Sequence, residues 1–116
     1  MYLVLFVLHD PSRLDEVLNT WEEEGIQRVT VLFSTGLGRI RQAKWRDDLP
    51  LIPSLEDFYQ EERFSRTIFT LVPDMEGVQK LHRAITKVIG DLTRPGTGLL
   101  IAVPVAEAFG LNKLEV

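Results

Sequence analysis

The chain has 116 residues, the size of one ordinary domain, and 45% of them are hydrophobic and 26% charged; that balance supports one sizeable core and excludes a disordered chain. Thirteen Lys and Arg against seventeen Asp and Glu leave a net charge of -4, which argues against nucleic acid as a partner, because phosphate binding needs a cationic excess. With no cysteine there is no disulfide framework, thiolate chemistry or Cys-based zinc site, a composition that fits a reducing cytoplasm.

In chain order, Tyr2 to Leu8 is a continuous apolar run rich in β-formers and predicts a strand buried on both faces or central in a sheet. It lacks a basic lead-in and a small-residue cleavage site, so a signal peptide is not expected. No segment reaches the roughly 20 apolar residues of a membrane span. Asp10 and Pro11 read as N-cap and first helical position. Leu14, Val17, Leu18 and Trp21 follow at helical spacing, and Gly25 suits the C-terminal cap. Arg28 to Phe33 predicts a second strand, closed by the turn chemistry of Ser34-Thr35-Gly36-Leu37-Gly38.

Residues 38 to 62 differ in character. Gly38 to Arg46 carries Arg39, Arg41, Lys44 and Arg46 and no acid, whereas Asp47 to Glu62 carries six acids and no base. Pro50 and Pro53 interrupt regular structure. The expectation is a long, partly mobile excursion, and connections of that length in compact domains are usually functional. Arg66 to Val72 predicts a third strand. Asp74 caps a second helix with Val78, Leu81, Ile85, Val88, Ile89 and Leu92 on its apolar face. After the glycine-rich Thr93 to Gly98, Leu99 to Val103 predicts a fourth strand.

The order β-α-β, long loop, β-α-β predicts one domain of α+β class, a ferredoxin-like βαββαβ fold. Its four-stranded antiparallel sheet carries both helices on one face. Strands this apolar are poorly suited to leaving the other face in water, and oligomerisation is the simplest cover.

Two glycine runs could approach an anion through backbone N–H groups, Thr35-Gly-Leu-Gly-Arg39 and Arg94-Pro-Gly-Thr-Gly98. The first lacks the third glycine and following helix of a dinucleotide fingerprint, since position 41 is Arg41. The second lacks the Gly-Lys-Ser/Thr of a P-loop. On spacing alone each is more simply a turn. The cluster Arg39, Arg41, Lys44 and Arg46 is either a solvated loop face or a phosphate- or acid-binding surface. Trp45 within it is either an interface anchor or packed onto the body. His9 and His82 have no ligand-spaced companion, so no metal site is assigned. No nucleophile stands beside His9 and Asp10, so no catalytic residues are assigned and an enzyme is not expected.

Arg13-Leu-Asp-Glu-Val17, Gly25-Ile-Gln27, Val29-Thr-Val31 and Gly36-Leu-Gly-Arg39, followed by Leu71-Val-Pro-Asp74, Ala102-Val-Pro-Val105 and Glu107-Ala108, resemble in order and spacing the nitrogen-regulatory PII signal-transduction proteins. The resemblance covers nearly all of the chain outside 40 to 65. It implies a cytoplasmic homotrimer with sheets facing inward, adenine-nucleotide sites in the clefts between subunits, and a T-loop at about 38 to 62 that docks onto a protein or membrane-transporter target. By position it implies ligand-binding roles for Thr30, Gly36, Gly38, Arg39, Gly96 and Gly98; Thr35, Arg41 and Thr97 beside them are further candidate ligand contacts, and Arg41, Lys44, Trp45 and Arg46 are candidate partner contacts.

The chain departs from the family where phosphate charge is held. The Asp between the second pair of glycines is Thr97, the Lys after them is Leu99, two C-terminal arginines correspond to Gly110 and Asn112, and the Gln after Gly-Arg is Ile40. Charge-assisted phosphate contacts supply roughly 1.5–3 kcal/mol each, so either Arg94, Arg39 or Arg41 replaces some of the three lost cations, or the ligand is less charged than ATP, or there is none. The alternatives are a CutA-like metal-binding trimer using His9, His82 or acidic loop residues, and a ligand-free trimeric interaction protein.

Overall fold

The computed structural model describes residues 1–37 and 65–111; the expected excursion at 38 to 62 lies outside the described residues. β1 is Tyr2–Leu8 and α1 is Leu14–Glu23, entered through a 3-10 turn at Pro11–Arg13. β2 is Thr30–Ser34, β3 is Ser65–Val72, α2 is Met75–Ile89 and β4 is Gly98–Pro104. The sheet order is β2-β3-β1-β4, and every neighbouring pair is antiparallel. This is the ferredoxin-like α+β arrangement expected from the element order, with both helices on one face.

Period-2 alternation in β1 sorts the two faces of the sheet. Val4, Phe6 and Leu8 are fully buried beneath Val17 and Trp21 of α1 and Val78, Leu81, Ala84 and Ile85 of α2. Each such side chain contributes about 1.5–3 kcal/mol by leaving water. Thr70, the polar member of this face in β3, is satisfied by donating to the Arg28 carbonyl at 2.6 Å. That side-chain bond takes the place of a ladder bond at Arg28. β2 accordingly starts at Thr30, paired with Phe69, two residues later than its apolar run suggests. α2 ends at Ile89 with Gly90 at φ +95, so Leu92 packs on the core from the following connection and not from the helix.

The helices are fixed at their ends by side chains. Asp74 accepts from Gly77 N at 2.9 Å and satisfies an N–H group that the start of α2 leaves open. Asp10 accepts from the Ser12 backbone at 3.0 Å and caps the 3-10 turn that begins at Pro11, whereas α1 itself, contrary to the expected start at Pro11, begins at Leu14 without a side-chain cap. Arg13 grips Glu16 at 2.9 Å and also donates to the Val88 carbonyl. The start of α1 is thereby tied to the end of α2, and the two helices run antiparallel. Among the described residues, the Trp21 indole N–H is a buried donor without a hydrogen-bond partner; its ring is held by packing alone.

Among the described residues, no element covers the face away from the helices. This bare face carries Leu3, Leu5 and Val7 from β1 and Leu99, Ile101 and Val103 from β4, matched across the register, with Leu71 and Phe69 of β3 opposite Leu3 and Leu5. Leu99 is 54% exposed and Leu32 of β2 is 49% exposed. Four strands about 4.8 Å apart and about seven residues long at about 3.3 Å each make a sheet face of roughly 440 Å². Thr30, Ser34, Ser65 and Thr67 make its β2–β3 corner polar, so the apolar part is smaller, centred on β1 and β4; exposed apolar patches of a few hundred Å² are often functional. Among the described residues no helix is long and apolar enough to cross a membrane.

Trp21→Ala is expected to destabilise the subunit by about 3–5 kcal/mol in denaturant unfolding, because it empties the centre of the core. Asp10→Ala is expected to cost about 0.5–1 kcal/mol at pH 7 through loss of the cap. The Ser12 hydroxyl, then the Ser12 N–H, hold the Asp10 carboxyl below its ordinary value. Its folded pKa therefore lies below its unfolded pKa of about 3.9. The stabilisation is complete above the unfolded value and is lost as pH falls through the folded one. Wild type and Asp10→Ala should converge in melting temperature below about pH 4.

Candidate functional site

Of the residues that the sequence singles out, Thr35, Gly36, Gly96, Thr97 and Gly98 lie at one end of the sheet, where β1 and β2 finish and β3 and β4 begin. β2 leads through Ser34 into Thr35, Gly36 and Leu37, all three exposed. The connection into β4 brings Gly96, Thr97 and Gly98 to the same end. These two turns are not neighbours. β2 and β4 are the outer strands, with β3 and β1 between them. Three strand spacings separate them, about 14 Å, so one subunit does not bring them together.

The 91–98 connection is held by its own polar groups. Asp91 accepts from Thr93 N at 2.9 Å, and that bond first, then the Thr93 hydroxyl, lowers the Asp91 pKa. The Arg94 backbone N–H donates to the Asp91 carbonyl at 3.1 Å. The Thr97 hydroxyl lies 2.8 Å from the Arg94 carbonyl and 3.3 Å from that of Leu92. Its single proton is committed to the turn, and what it offers outward is a lone pair, the wrong polarity for an anion. Gly96, at φ +76 with open space around it, is a turn glycine. Gly98 has a different cause: a Cβ there would lie 2.4 Å from the Val7 carbonyl oxygen and 2.8 Å from the Phe6 ring. Core packing accounts for this glycine without any ligand.

At the other edge, the root of β2 is clamped to β3. The Arg66 guanidinium lies 4.3 Å from the centroid of the Phe33 ring, a cation–π distance, and Thr67 Oγ1 donates to Ser34 Oγ at 2.8 Å. Arg66 is 5% exposed while Phe33 is 72% exposed, so the ring covers the cation with one face and turns the other to solvent. Reading the strand as a strand gave Phe33 no special role. The available signal is its position, a large aromatic two residues from the Thr35-Gly36 turn.

Thr30 stands apart. It is exposed on the bare face opposite Phe69, four residues and about 13 Å along the strand from Ser34. Gly38, Arg39, Arg41, Lys44, Trp45 and Arg46 lie outside the described residues. His9 follows β1 at the loop end, its N–H donating to the Thr97 carbonyl at 3.4 Å, whereas His82 is exposed on α2. Among the described residues no group of three or more His, Asp or Glu is placed to hold a metal ion.

No protein-family model matches the chain, and no curated protein matches it at a significant level.

Gly98→Ala and Gly96→Ala separate packing from ligand binding. Gly98→Ala is expected to cost about 2–3 kcal/mol in unfolding without any ligand present, because a backbone carbonyl and a core ring must both move. Gly96→Ala should cost about 1 kcal/mol, the price of a left-handed φ in open space.

Proposed function

We propose that this chain is a PII-like regulatory protein, working as a ring of three copies. Each boundary between copies takes a small ligand, an adenine nucleotide or a less charged relative. The excursion at about 38 to 62 passes the occupancy of that site to a protein partner. The observation that carries this reading is the placement of the two glycine turns. They lie at the same end of the sheet but on its opposite edges, so a second copy has to supply one of them for both to line a single cleft.

Symmetry supports the same arrangement. Interfaces in a threefold ring are heterologous, joining unlike surfaces of successive copies. With strand order β2-β3-β1-β4, the unlike edges are β2 and β4. A ring with the bare faces inward sets the Thr35-Gly36 turn of one copy beside the 91–98 connection of the next. It also takes the apolar face out of water, the remedy that a patch of this size calls for. Ligand binding at the boundary would favour one conformation of the excursion, which follows Thr35-Gly36-Leu37 directly in the chain.

The side chains favour a ligand of low charge. Leu99, standing where the family has a phosphate-binding Lys, belongs to the apolar face, and the Thr97 proton is engaged within its turn. The same two facts favour a second reading, a trimeric interaction protein that binds no small ligand.

Two measurements test the proposal. Light scattering at micromolar concentration should give about 40 kDa, three times the 13.3 kDa of one chain; a 13 kDa species sinks the ring. Isothermal titration with ATP, ADP, AMP and cyclic AMP should give heat with at least one, AMP or cyclic AMP before ATP. Heat with none of them, from a protein of trimer mass, leaves the ligand-free reading standing. In the ring, Ile101→Glu should shift the mass to that of a monomer, since it sets a carboxylate against the inward apolar face.

A further inference from the structure

Phe33 is the most exposed large apolar side chain within a helix or strand of the described residues. It is not on the bare face. Register pairs it with Arg66, which pairs with Leu8, so it belongs to the helix side, at an edge the helices do not reach. A phenyl ring left 72% exposed at the rim of a sheet is unfavourable in an isolated subunit. The buried guanidinium behind it fixes its orientation. A rigid aromatic, oriented from behind by an arginine and open in front, has the character of an interface anchor.

Resting on the ring proposed above, we infer that Phe33 is the aromatic anchor of each subunit boundary and seats on the β4 edge of a second copy. Three considerations select that occupant, one from the proposed ring and two from the chain. First, threefold symmetry in that ring would set β2 of one copy against β4 of the next. Second, β4 reads Gly98-Leu-Leu-Ile-Ala-Val-Pro104, with no charge or polar side chain to discourage an approaching strand, as exposed edges usually have. Third, one cross-strand row runs Phe33, Arg66, Leu8, Gly98. It ends in the bulkiest exposed side chain at one edge and in no side chain at the other. Rotation about an axis along the strands brings Phe33 beside the neighbour's Gly98, where the edge is flat because Val7 and Phe6 occupy the place of a Cβ.

Sedimentation velocity over a dilution series decides the matter, with wild type, Phe33→Ser, Phe33→Leu and Phe33→Trp compared and far-ultraviolet CD confirming the fold of each. Phe33→Ser is expected to weaken association roughly thirtyfold or more, Phe33→Leu by less, and Phe33→Trp to hold wild-type mass. A wild-type monomer at micromolar concentration overturns the ring and this inference together. A wild-type trimer whose Phe33→Ser and Phe33→Leu variants dissociate no more readily overturns the inference alone. In that outcome, lower unfolding stability of Phe33→Ser assigns Phe33 to shielding Arg66 within its own subunit. Loss of nucleotide heat at unchanged mass also overturns it, and assigns the ring to the ligand.

Discussion

The row of side chains that β1 sets beneath the two helices is the constraint on which the rest depends. Val4, Phe6 and Leu8 are closed off completely, and α1 and α2 are laid over them and tied at their ends through Arg13 and Val88. A strand can bury only alternate residues on one side. The intervening Leu3, Leu5 and Val7 are just as apolar, and they point where none of the described residues is laid over them. The dry face and the bare face are thus two consequences of one seven-residue run. The first stabilises the subunit, and the second makes it an incomplete solution to the burial of its own sequence.

The same incompleteness extends to the edges of the sheet. Closed barrels abolish free edges, and open sheets usually blunt them with charge, proline or bulges. Here β4 is apolar from Leu99 to Val103, with a proline only at its last position, and β2 carries at its penultimate position a phenyl ring stacked on a buried guanidinium. The two edges are unlike each other, which suits a cyclic assembly better than a twofold one, where like meets like. They also carry the two glycine-rich segments, so in the proposed ring edge pairing and site formation would be geometrically one event. In the proposed ring, occupancy of the cleft and cohesion of the subunits are linked through the same few residues.

The glycines illustrate how one residue type answers to different physics. Gly96 and Gly98 look equivalent as members of a loop that might grip a phosphate. In the fold, Gly96 supplies a left-handed turn in open space, and Gly98 makes room for a core ring and a backbone carbonyl. Thr97 between them directs its proton inward to hold the turn. A glycine-rich loop therefore carries no commitment to phosphate until the surroundings of each Cβ position and each donor are known.

The sequence by itself determined the element order, the two caps at Asp10 and Asp74, the stripe containing Val17 and Trp21, and the fold class, because each is written in local periodicity or in contacts a few residues apart. It also carried the expectation of a bare apolar face, since strands such as Leu99 to Val103 have no polar alternation to offer water. Strand ends were less legible: Arg28 leaves the ladder through a bond to Thr70, 42 positions away. Only the tertiary structure decided that the two glycine turns stand on opposite edges, that Gly98 answers to Phe6, and that Phe33 is left uncovered over Arg66. Those outcomes depend on which strands pair and in what register, and pairing between distant segments leaves no period in the chain from which it could be read.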